Sequence, residues 1–132
     1  MSAKNILALC GDRGGYNAVK PVLSHAIDQE CEVSLYLTAT CARQFNEGRL
    51  PFDSRITIKV GSSTRGFPDT NGIDVAVLGA SQSEEGAQGA LYLERIARSI
   101  PIVVVEDMYG SAIPMLKKIS ALSVEDPIVC VM

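Results

Sequence analysis

Short, uninterrupted apolar runs alternate along this chain with segments whose apolar residues recur at helical spacing, and that alternation leaves few folds open. Ile6-Leu7-Ala8-Leu9-Cys10 is apolar throughout, as a central strand of a parallel sheet is when both of its faces are covered. Val19, Val22, Leu23, Ala26 and Ile27 then fall at i, i+3, i+4, i+7 and i+8, which is one face of a helix. Pro21 is tolerated there if the helix starts near Asn17, or else it bends the helix. Cys31–Leu37 reads as a second strand and Thr38–Phe45 as a short helix. Ile56, Ile58 and Val60 alternate with Thr57 and Lys59, the pattern of a strand with one wetter face, which suits an edge.

Residues 61–72 turn to Ser, Thr, Gly, Pro, Asp and Asn, a loop that must carry a crossover without a full helix. The pattern then resumes. Ile73–Leu78 is a strand, and Ser81 with Glu84 forms a capping box for a helix whose inner face is Gly89, Ala90, Leu93, Ile96 and Ala97. Ile100–Val105 is a fifth strand. Ser111 caps a helix lined by Ala112, Met115, Leu116, Ile119 and Leu122, with Pro114 in its first turn. Ile128–Met132 begins a sixth strand. Alternating strands and helices predict an α/β fold: one doubly wound Rossmann-like domain over residues 1–132, with a six-stranded, mostly parallel sheet ordered 3-2-1-4-5-6 and helices on both faces.

Composition excludes several functions. The 132 residues carry 12 Lys and Arg against 15 Asp and Glu, a net charge of −3, so no basic surface for a nucleic-acid backbone is expected. No apolar run approaches the roughly 20 residues that span a bilayer, and the N-terminal run ends at Gly11-Asp12-Arg13, too soon for a signal peptide. Cys10, Cys31, Cys41 and Cys130 contain no C-x-x-C pair and have one histidine, His25, for company. A metal site is therefore not expected, and reduced thiols in a cytoplasmic protein are. His25 falls off the apolar face of its helix, toward solvent.

In such a sheet ligands bind beyond the carboxyl ends of the strands, where the strand order reverses between the first and fourth. The candidate ligand residues are therefore Gly11, Arg13, Gly14, Gly15, Tyr16 and Asn17 after the first strand, with Gly79, Ala80 and Ser81 after the fourth. Glycines let a ligand approach the backbone, and helix N-termini offer free amides; the same glycines also serve tight turns and close helix packing. Asp12 and Glu106 are the candidate catalytic carboxylates. Glu84 and Glu85 are explained by capping and by the helix dipole. The chain has neither G-x-G-x-x-G with an acidic residue closing the second strand nor a phosphate-binding G-x-x-x-x-G-K-[ST] loop. No cofactor is expected.

The Gly11-Asp12-Arg13-Gly14-Gly15 loop with its following Ala/Val/Pro/Leu helix resembles the start of GT-B-fold sugar enzymes, a group that holds many glycosyltransferases and UDP-N-acetylglucosamine 2-epimerase. The segments Ile73–Ser81 and Arg98–Asp107 resemble later strands of their N-terminal domains. The resemblance implies the acceptor-side half of a two-domain enzyme, with a sugar or nucleotide-sugar ligand, the donor held mainly by a C-terminal domain, and little activity alone. It carries over to Gly11, Asp12, Gly14, Gly15 and Gly79–Ser81. Met108-Tyr109 depart from it, standing where a tryptophan-containing segment is expected. A different reading of the same residues is a free-standing module that binds a nucleotide or small anion without catalysis, as a monomer or a homo-oligomer.

Overall fold

The structure, a computed structural model, describes residues 4–61, 72–80, 100–106 and 128–131. In chain order the elements are β1 (Asn5–Cys10), α1 (Arg13–Asp28), β2 (Glu32–Leu37), α2 (Ala39–Asn46), β3 (Thr57–Val60), β4 (Val75–Ala80), β5 (Ile102–Glu106) and β6 (Ile128–Val131). The α/β class, the parallel sheet and the strand order 3-2-1-4-5 are as the sequence predicts. At the far edge β6 pairs in parallel with β5, Val103 opposite Ile128. The helices expected over 81–97 and 111–122, and the loop 62–71, lie outside the described residues.

β1 is apolar because it is central. It pairs with β2 from Asn5↔Glu32 to Cys10↔Leu37 and with β4 from Ile6↔Val75 to Leu9↔Leu78. Alternation then sorts the side chains of the sheet. Ala8, Cys10, Val33, Leu35, Leu37, Val77 and Val105 face one way and form a single core with Val19, Leu23 and Ala26 of α1 and Cys41 and Ala42 of α2. Leu7, Leu9, Tyr36, Ala76, Leu78 and Val104 face the other way and are buried too. Both faces are thus covered. β3 is the edge that its alternation predicts, with Thr57, Lys59 and Val60 exposed.

Two boundaries differ from the sequence reading for a clear local reason. Helix α1 starts at Arg13, four residues before Asn17, because Asp12 caps it in an extended conformation. Pro21 consequently lies inside the helix, where it removes the bond to the Asn17 carbonyl. Strand β4 runs through Gly79 and Ala80, expected as loop. α1 ends without a glycine: Glu30 takes φ 66°, and the amides of Glu30 and Cys31 close on the carbonyls of Ile27 and Ala26 at 2.9 and 3.0 Å. This 5→2 and 6→1 closure stops the helix and turns the chain into β2. Arg55 then bridges Asp28 at the end of α1 (3.2 Å) and Asp53 (2.7 Å) on the exposed surface, and holds the Asp53 carboxyl down at about 2.

The backbones of α1 and β4 approach each other closely. A Cβ on Gly79 would lie 2.2 Å from the Gly15 carbonyl oxygen, and one on Gly15 would lie 2.7 Å from that of Gly79. Both obstacles are backbone, so neither can rotate away. Gly15→Ala and Gly79→Ala are each expected to lower unfolding free energy in urea by about 2 kcal/mol, the scale of overpacking in a filled core. Because one outward shift of α1 relieves both clashes, the double variant should cost less than the sum.

Candidate functional site

Gly11 and Asp12 are the whole connection between β1 and α1. Their shortness sets the chemistry at the switch point. The Asp12 Oδ1 accepts a hydrogen bond from the Gly15 amide at 2.8 Å. Its carbonyl accepts from the Tyr16 amide at 3.0 Å and from the Cys41 thiol at 2.9 Å. Two backbone links join this corner to the next strand: the Thr38 amide donates to the Cys10 carbonyl at 3.0 Å, and the Cys41 amide to the Gly11 carbonyl at 3.2 Å. The amides of Arg13 and Gly14, the first of the helix, have no acceptor among the described residues.

The residues expected to touch a ligand therefore divide. Gly11 and Asp12 sit at the carboxyl end of β1, and Gly14 lies half-buried in the first turn of α1. Gly15 is buried against Gly79, so both glycines serve helix packing. Tyr16 points into the core, where its hydroxyl donates to the Pro51 carbonyl, and burial pushes that hydroxyl up to about 12. Arg13 lies along the α1–α2 side, where its guanidinium donates to Asn17 Oδ1 (3.3 Å), Gln44 Oε1 (3.4 Å) and the Arg49 carbonyl (3.3 Å). Asn17 is an exposed helix residue. Gly79 and Ala80 are the last residues of β4, and Ser81 lies outside the described residues.

The two candidate carboxylates do not share a position. Glu106 ends β5 beside Ala80 of β4, so β4 stands between it and β1. Alternation puts Glu106 on the Ile102–Val104 face, away from α1, whereas Asp12 caps α1. Glu106 is buried at 4% exposure. One residue that the sequence reading treated only as the start of a helix joins it in burial: Thr38, at 3%. Thr38 precedes α2 without capping it, and Ala39 follows at φ 49°, a left-handed conformation rare outside glycine.

Other groups are inert. Cys10 and Cys41 are buried and form no disulfide, and burial, with the neighbouring Cys41, pushes the Cys10 thiol well above its ordinary range; such thiols behave as small hydrophobes. Among the described residues no group of three His, Cys, Asp or Glu is placed to hold a metal ion. A cleft of about 470 Å³ opens at the opposite, amino-terminal edge of the sheet, lined by Asn5, Glu32, Ser34, Arg55 and Thr57 among others. Ligands of this class of sheet bind at the other edge. No helix among the described residues is long and apolar enough to cross a membrane. No protein-family model matches the sequence, and no curated protein matches it.

The Tyr16 hydroxyl gives a pH signature. It holds its proton in the folded chain to a higher pH than the ordinary 10.0 of an unfolded tyrosine. The resulting stabilisation is complete below pH 10 and is lost as pH rises through about 12. Urea midpoints measured from pH 9 upward should fall above pH 10, and Tyr16→Phe should remove that part of the fall.

Proposed function

We propose that this chain is the acceptor-side, N-terminal domain of a two-domain sugar-transfer or sugar-nucleotide enzyme of the GT-B kind, holding a hydroxyl-bearing acceptor and nearly inactive alone. One observation carries the reading: the helix that opens at the switch point is capped by a carboxylate, Asp12, bonded to the Gly15 amide at 2.8 Å. A helix N-terminus that binds phosphate works through its positive end and open amides. A carboxylate there opposes a phosphate and favours the hydroxyl groups of a sugar, which it can accept from. The nucleotide-sugar donor then belongs to a partner domain. In this reading one of the two carboxylates of the carboxyl edge, Asp12 or Glu106, is the base that takes the acceptor's proton; on opposite faces of the sheet, they do not act on one acceptor together. The reading also takes the sheet as six-stranded and doubly wound; burial of Leu7, Leu9, Leu78 and Val104 on the face away from α1 supports helices there. Buried thiols at Cys10 and Cys41, in no disulfide, fit the cytoplasm.

The Arg13 and Gly14 amides, unaccepted among the described residues, favour a second reading: a free-standing module for a nucleotide or small anion. Ligands separate the two. On the first reading, uridine diphosphate and inorganic phosphate leave the melting temperature of the chain unchanged, while millimolar N-acetylglucosamine perturbs backbone amide resonances around Gly11 and Asp12. A saturable rise in melting temperature with uridine diphosphate, reflecting binding to the folded state alone, would overturn the first reading in favour of the module.

A further inference from the structure

Strand β3 is the outermost strand beyond β2, and its backbone shows which groups that position leaves open. The Gly61 amide donates to the Leu37 carbonyl at 2.9 Å. Successive residues of a strand turn their amides and carbonyls to opposite sides. Thr57 and Lys59, in step with Gly61, therefore bond toward β2, while Ile58 and Val60 turn theirs outward. Neither outward residue has another partner in the chain. An edge of this kind is a template for a further strand unless it is blunted. Thr57–Val60 contains no proline and pairs with β2 without a bulge, so Lys59 is the one guard within the strand.

The two faces of β3 differ. Ile56 and Ile58 pack against the α1 core, and alternation sets Val60 on their side. Val60 is 42% exposed, one of two large apolar side chains so open among the described residues. Thr57 and Lys59 lie on the other face, both exposed. Lys59 has no carboxylate partner among the described residues.

These features suit a second copy of the same strand, run antiparallel about a two-fold axis. Residues that oppose each other across such a pair must both turn their bonding groups the same way, toward the partner or away from it. The fullest overlap, centred between Ile58 and Lys59, breaks that rule. Of its two neighbours, centring on Lys59 sets the two ammonium groups directly opposite each other, which is unfavourable. Centring on Ile58 sets Lys59 opposite Thr57 instead and lays Val60 beside Ile56. The Ile58 residues then exchange amide and carbonyl bonds, and the Val60 amide meets the Ile56 carbonyl of the second copy. That carbonyl is open, whereas the Ile56 amide is taken by the Asp53 carbonyl at 3.0 Å.

We propose that β3 pairs with β3 of a second copy in this register, joining two sheets into one across a two-fold axis. The paired segment is short, which places the contact among weak, reversible interfaces, below about 1,200 Å². It lies at the side of the sheet and leaves the carboxyl edge open, so it does not depend on the acceptor-domain reading.

Sedimentation velocity of the 132-residue chain, from about 10 µM to about 500 µM as a weak interface requires, reads the association. A reversible monomer–dimer equilibrium is expected, with hydrogen exchange at the Ile58 and Val60 amides slowing as the dimer fills. Val60→Pro removes an outward amide and no bond to β2. The dimer should vanish in that variant, while the melting temperature of the dilute chain stays close to that of the parent. Thr57→Lys sets like charges opposite each other on both sides of the axis and should weaken association about fivefold at low salt. Thr57→Glu should tighten it by a similar factor, and added salt should shrink both effects. A monomer throughout the range overturns the proposal and leaves the edge to a strand of another protein. A dimer indifferent to all three variants is held through another surface and overturns it equally. A dimer lost in Val60→Pro but insensitive to charge at Thr57 overturns the register, and the two-fold pairing with it.

Discussion

Everything at the carboxyl edge depends on one backbone contact, Gly15 against Gly79. With no Cβ on either side, the first turn of α1 settles directly on the end of β4, at a separation that any other residue would prevent. A helix held that low needs no long connection, so two residues suffice between β1 and α1. Asp12 is then both the end of the connection and the cap of the helix. Tyr16, one residue past the contact, is carried into the core, where its hydroxyl reaches the Pro51 carbonyl. Position, capping and burial around the switch point follow from the missing side chains of two glycines.

The two ends of the sheet use polar groups differently. At the amino-terminal edge, Arg55 with Asp28 and Asp53 forms an exposed network. Charges so well solvated attract each other weakly, and their effect is to register the end of α1 against the segment before β3. At the carboxyl edge the polar side chains are buried instead, Thr38 at 3% and Glu106 at 4%. Their burial coincides with the edge at which parallel sheets of this order take their ligands.

Much of the fold was legible because parallel strands covered on both faces leave a plain trace: Ile6–Cys10 and Ile102–Val105 are apolar at every position, whereas edge strand β3 alternates. Pro21 leaves the start of α1 open in the sequence, near Asn17 or earlier with a bend at the proline, and the Asp12 cap decides for the earlier start. A proline costs one helical bond, and tertiary packing of Val19, Leu23 and Ala26 outweighs it. The signal for the true start was present, an Asp followed by glycines that its carboxylate can reach. Gly79 was read as loop because glycine usually interrupts strands. Its alternative use, close approach of another backbone, depends on Gly15, 64 positions away, and local patterns do not carry that pairing. Thr38 reads as the first residue of a short helix, whereas the structure holds it in extended backbone before α2 with no side-chain cap bond.

The central claim is that ligand chemistry sits at the carboxyl edge, organised by the lowered α1, and that the cleft at the amino-terminal edge is a by-product of packing. A crystal structure of the chain soaked in N-acetylglucosamine addresses this directly. The account predicts sugar density against Gly11 and Asp12 at the carboxyl edge. Ordered sugar in the cleft beside Ser34, Arg55 and Thr57, with the carboxyl edge empty, would contradict it.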